Sequence, residues 1–148
     1  MTTIREQIVQ AAMSALNGPD KPAHVPACER VRAVGLNSTA LPVMLMYPLK
    51  ESVERANPTV VKRTFTFRVD CRAAALVADS LPADALVNDM LSWATKALAG
   101  NRMGGLAHDV DESNVTWSIE TADMTYVEAT IDFDVSYHTL RSDQERRS

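Results

Sequence analysis

Apolar and polar residues alternate most cleanly between Asn114 and Thr139. Val115, Trp117 and Ile119 interleave with Thr116, Ser118 and Glu120. After a short break, Val127, Ala129, Ile131, Phe133, Val135 and Tyr137 interleave with Glu128, Thr130, Asp132, Asp134, Ser136 and His138. Successive side chains of a strand point to opposite faces, so this spelling predicts two strands with one apolar face on a core and one polar face in water. Thr121, Ala122 and Asp123 fall where a hairpin turn belongs.

The remaining chain supplies a sheet and a layer to cover it. Thr3 to Asn17 reads as a helix: Thr3 and Glu6 form a capping box, and Ile4, Ile8, Ala11, Ala12, Ala15 and Leu16 share a face. Asn17-Gly18-Pro19 should stop it, with Gly18 taking a left-handed cap. A proline-rich loop follows to Ala27, then a short strand over Arg30–Leu36 and a turn at Asn37-Ser38-Thr39. Leu41–Leu49 reads as a strand apolar on both faces, Val43, Leu45 and Tyr47 on one and Met44 and Met46 on the other. Lys50–Pro58 reads as a charged loop. Val61–Ala73 is an alternating strand whose apolar face is broken only by Arg63. Pro82–Ala99 is a second amphipathic helix, with Ser80 as its cap and Gly100-Asn101 as its stop. Leu140–Ser148 reads as a charged, frayed tail.

The predicted fold is α+β: one two-layer domain over residues 1–140, with a mixed, mostly antiparallel sheet, a long hairpin and both helices on one face. A chain of 148 residues, 46% of them hydrophobic, can bury roughly 70% of its unfolded surface. A net charge of −4 and a pI near 5.3 argue against a phosphate-binding basic patch. Two cysteines, no secretory leader and no apolar run near the ~20 residues a bilayer demands predict a soluble cytosolic product with reduced thiols.

Candidate chemistry is thin. Asp109, Asp111, Ser113 and Glu120 have calcium-loop spacing, but Asn114 replaces the turn glycine and a strand stands where a helix should begin. His24 and Cys28 lack a second ligand pair for zinc. Cys71 alternates into the apolar face and reads as core. Gly100, Gly104 and Gly105 follow a helix C-terminus, whose dipole repels phosphate. No nucleophile elbow, phosphate loop or zinc-protease motif occurs. No enzyme, metal or cofactor is expected. Glu128, Asp132 and Asp134 read as a solvated acidic face.

The run Trp117-Ser118-Ile119-Glu120-Thr121-Ala122-Asp123-Met124-Thr125-Tyr126-Val127 resembles the C-terminal signature of phage tail-terminator proteins of the lambda minor tail protein U type. The acidic strand Val110-Asp111-Glu112 ahead of it, and the element order along most of the chain, are also similar. Residue similarity is confined to the last third; the loop at 19–27 and the extension after Met124 depart from the pattern.

The resemblance implies a virion protein assembled in a bacterial cytoplasm: a homo-hexameric ring that caps the tail tube and stops its growth. It also implies a joining surface for a head-completion or neck protein. DNA would pass through without specific binding, and an acidic lumen at Glu128, Asp132 and Asp134 would suit that passage. Subunit or tube contacts are expected at Met44, Met46, Lys50, Glu51, Glu54 and Arg55, although Met44 and Met46 read equally well as core. A head–tail adaptor is the nearest alternative reading, and a small ligand-binding α+β domain is a more distant one.

Overall fold

Thr3 starts the first helix, α1 (Ile4–Leu16), its hydroxyl accepting the Glu6 amide at 3.1 Å. The computed structural model describes residues 2–30, 42–76, 82–121 and 124–145. The helix ends differently from the sequence expectation, because Gly18 is not left-handed. A Cβ there would lie 3.2 Å from the Ala15 carbonyl, so the glycine serves close approach. Asn17 does the anchoring: its amide donates to the Cys28 carbonyl (3.0 Å) and its side-chain oxygen accepts from the Cys28 amide (2.8 Å). That clamp sets β1 (Cys28–Arg30) beside the helix end. Of the strand expected over Arg30–Leu36 only Arg30 is described, as the last residue of β1; its remainder, the turn at Asn37–Thr39, Leu41, the Ser80 cap and the turn residues Ala122 and Asp123 lie outside the described residues.

β1 runs parallel to β2 (Val43–Arg55). β3 (Val60–Leu76) follows as an antiparallel partner, and the α2 helix (Ala83–Leu98) crosses to β4 (Asp109–Thr121), which turns back as β5 (Met124–Leu140). The sheet order is β1-β2-β3-β5-β4. This is the expected α+β domain with a mixed five-stranded sheet and two helices. Its core joins Ile8, Leu16, Val87, Met90 and Leu98 to Met44, Phe65, Phe67, Val69, Ile131 and Phe133. Trp93 links the helices, donating its indole N–H to the Leu16 carbonyl at 2.8 Å.

Three boundaries move. The charged loop expected over Lys50–Pro58 is strand as far as Arg55, pairing residue by residue with β3 out to Arg55↔Val61. Charged side chains are compatible with an exposed strand, so polarity alone mistook it for a loop. The true turn is 56–59, where the Asn57 side chain accepts the amides of Thr59 and Val60, each at 2.9 Å. On β4, a register shift between Glu112 and Asn114 resets the alternation, so Val110 and Val115 share a face despite an odd separation. Residues 141–145, expected to fray, are tied down: the Arg141 amide donates to Thr59 O (2.7 Å) and the Ile4 amide to Gln144 O (3.0 Å).

Candidate assembly surfaces

The central strands outrun the helices. β3 and β5 each have 17 residues and pair along their whole length, so they extend ~56 Å at the usual rise. The 16 residues of α2 cover only ~24 Å. The turns of hairpins β2–β3 and β4–β5 lie at opposite ends of β3, and the outer strand of each, β2 past Tyr47 and β4 past Val110, forms an overhang left exposed while the core-face residues of β3 and β5 beside it stay buried.

The β4–β5 overhang overturns one sequence expectation. Val115, Trp117 and Ile119 sit opposite Ile131, Ala129 and Val127, on the face that carries the core. Residues directly opposite in an antiparallel pair share a face. The β5 members are buried, yet Val115, Trp117 and Ile119 remain 43%, 41% and 57% exposed. The period-2 pattern identifies the face correctly, but the layer that buries Val127, Ala129 and Ile131 on β5 does not extend sideways over β4. β4 is also one of the sheet's two edge strands among the described residues.

The β2–β3 overhang sorts the six expected contact residues. Met44 and Met46 are 0% and 2% exposed, on the helix-covered face, so the expectation that they make subunit contacts is corrected: they are core. Lys50, Glu54 and Arg55 are exposed along the overhang, as is Val53, which sequence reasoning passed over. Glu51 is engaged within the chain. Arg5 donates to both its carboxylate oxygens (Nε 3.1 Å, Nη2 2.7 Å), Arg63 Nη1 donates at 3.0 Å, and the Tyr137 hydroxyl donates to Oε1. Arg63 also donates to the Thr139 hydroxyl at 3.0 Å, and Arg5 to the Gln144 side chain at 3.1 Å. Burial opposes ionisation of Glu51, but the bonds from Arg5, Tyr137 and Arg63 outweigh it and hold its carboxyl below the ordinary range. Burial, then the Glu51 hydrogen bond, push the Tyr137 phenol up. Arg63, the one break in an apolar face, is thus answered by a carboxylate from the adjacent strand.

The expected solvated acidic face is corrected at Asp132, which is buried, while Glu128 and Asp134 stay partly exposed. It is a ladder of cross-strand pairs, because the β3–β5 register sets Thr66, Arg68 and Arg72 directly opposite Asp134, Asp132 and Glu128. Arg68 grips Asp132 with two bonds (2.7 and 3.1 Å), Arg72 Nε lies 2.8 Å from Glu128, and the Thr66 hydroxyl donates to Asp134 at 2.6 Å. Arg72 also holds buried Asp70 at 2.9 Å. Asp132 and Glu128 are paired with arginines, Asp134 accepts from a neutral hydroxyl, and Asp132 is only 7% exposed.

The metal candidates do not assemble. Asp109, Asp111, Ser113 and Glu120 are spread along one extended strand, which cannot wrap an ion. His24 pairs with Asp89 at 3.0 Å, while Cys28 is buried and burial pushes its thiol up to about 12. Cys71 is a buried free thiol in the core, as its alternation indicated. Among the described residues no group of three or more acidic, His or Cys side chains could hold a metal. Nor is any helix among them long and apolar enough to cross a membrane.

No protein-family model and no curated protein matches the chain. Among solved structures, it is similar to a chain from the virion of a native gene transfer agent particle. The identity is 18%, the match covers 90% of this chain and 92% of that one, and the TM-score is 0.45. At that identity and score the likeness assigns no role to this chain.

Proposed function

We propose that this chain is a structural protein of a phage or prophage tail, a tail terminator that self-assembles into a hexameric ring and caps the tail tube. The observation that carries the reading is the uncovered apolar strip Val115–Trp117–Ile119 on the edge strand. Trp117 and Ile119 lie in the stretch, Trp117 to Val127, that resembles the tail-terminator signature. Exposed apolar side chains on an open sheet edge are an aggregation hazard for a solitary domain, and natural sheets protect such edges or use them for partners. An assembly protein has that use for them. The role needs shape and surface complementarity and no turnover, with the tube protein on one side of the ring and a neck protein on the other. Lys50, Glu54 and Arg55, exposed on the opposite overhang, are the proposed polar contacts.

The test is tube growth. Polymerising tail-tube protein of the same phage or prophage is mixed with the purified chain and imaged by negative stain. Capped tubes of limited length with six-fold end density are expected. Tubes that elongate unchanged, with bare ends, would refute the reading, and binding to a portal ring instead would make the protein a head–tail adaptor. Reversing charge at both Glu54 and Arg55 should weaken capping while leaving the melting temperature unchanged.

A further inference from the structure

We infer that the β4 strip docks onto the β2–β3 overhang of a second copy of this chain, in a head-to-tail contact. The inference rests on the self-assembling reading above and specifies its interface. The first support is position. The two overhangs lie at opposite ends of the long strands, so one copy cannot join its own surfaces, and joining copies through them makes the contact heterologous. Heterologous contacts close into rings or run on as filaments, whereas a self-complementary patch stops at a dimer.

The second support is chemistry. β4 carries Asp109, Asp111, Glu112 and Glu120, all exposed, and no Lys or Arg. Asp111 already feels this crowding: the charge of Asp109 first, then slight burial, holds its carboxyl above the ordinary range. The β2–β3 overhang exposes Lys50, Arg55 and Lys62 against the single exposed carboxylate Glu54, because Glu51 and Arg63 are paired inside. Val53, 56% exposed, and Leu49 supply the apolar counterpart to Trp117. The faces also agree: Val53 shares the helix side with Trp117, while Lys50 and Lys62 share the other side with Glu120. Pairing β4 with β4 of a second copy would instead join two strands that each carry four carboxylates and no cation, with no charge complementarity between them.

Sedimentation velocity over a concentration series on the full chain tests this, with Trp117→Asp, Val53→Asp and their equimolar mixture. The wild type should assemble, and each variant should associate about tenfold or more weaker, the effect of losing one central anchor. The mixture decides. Each variant keeps one intact surface, so together they should form a species of twice the monomer mass and nothing larger. A wild type that stays monomeric throughout would overturn the inference. So would a mixture with no mixed dimer, or a Val53→Asp variant that assembles normally while Trp117→Asp does not. Should Trp117→Asp lower the melting temperature, Ile119→Asp, at the more exposed position, replaces it. A chain that caps tubes but assembles identically with either substitution keeps the terminator reading and loses this contact. A chain that forms the mixed dimer but leaves tubes bare does the reverse.

Discussion

Replacing Glu51 with Gln removes one charge and almost no volume from the junction of α1, β2, β3 and β5. In the wild type that carboxylate answers Arg63, whose side chain is 9% exposed, and Arg5, whose side chain is 35% exposed. Arg5 can rehydrate when its partner is lost, but Arg63 cannot. Breaking a buried pair by removing one partner costs about 3–5 kcal/mol, and the partial exposure of Arg5 puts Glu51→Gln near the lower end, about 3 kcal/mol. For a domain of 148 residues that is a fall of about 9 °C in melting temperature.

The pH dependence supplies an independent check on the same residue. The folded-state pKa of Glu51 lies below its ordinary 4.5, so the unfolded chain binds more protons in the window between the two values. Its contribution is therefore complete above pH 4.5 and is lost as pH falls through the folded value. Urea unfolding at neutral pH and at steps below 4.5 should show the Glu51→Gln deficit shrinking with acidification. Adding Arg63→Met should recover more than half of the neutral-pH loss, since no buried cation is then stranded. A Glu51→Gln protein within 1 kcal/mol of wild type at neutral pH, or one with an undiminished deficit in acid, would refute the account of this junction.

Other substitutions test other joints. Asp132→Asn should cost about 2 kcal/mol, because it breaks the two-bond grip of Arg68 on a buried carboxylate while Arg68 keeps some access to water; chemical denaturation measures it. Trp93→Phe should cost about 1–2 kcal/mol by leaving the Leu16 carbonyl without its indole donor at the seam between the helices, and thermal melting reads it. His138 stacks edge-on against His108 at 4.5 Å, and burial first, then the charges of His108 and Lys62, lower its pKa below 6.5. The fold favours its neutral form, so stability should be full above pH 6.5 and decline below it; His138→Gln should flatten that decline in melts taken between about pH 7.5 and 5.

Much of the architecture is legible in local residue chemistry. The Thr3 cap, the apolar stripe Val87–Met90–Leu91–Ala94–Leu98, and the odd-numbered face of Phe65, Phe67, Val69 and Cys71 all stand where the pattern puts them. These features depend on one element's own periodicity, which a linear sequence records completely. Arg63 illustrates the limit. The sequence marks it as an exception on an apolar face, but its partners Glu51 and Thr139 lie 12 and 76 positions away, and only strand register brings them together.

The candidate surfaces divide along the same line. By itself, the sequence determined which side of each strand is apolar, that the protein is α+β, and that residues 50–55 are mostly charged. Tertiary structure decided which apolar positions are covered. Met44 and Met46 lie under the helices and became core, whereas Val115, Trp117 and Ile119, identical in pattern to their buried partners on β5, lie beyond the reach of α2 and became surface. Burial depends on how far the helical layer extends over the sheet, sideways as well as along the strands. Alternation along one strand carries no information about where the layer above it stops.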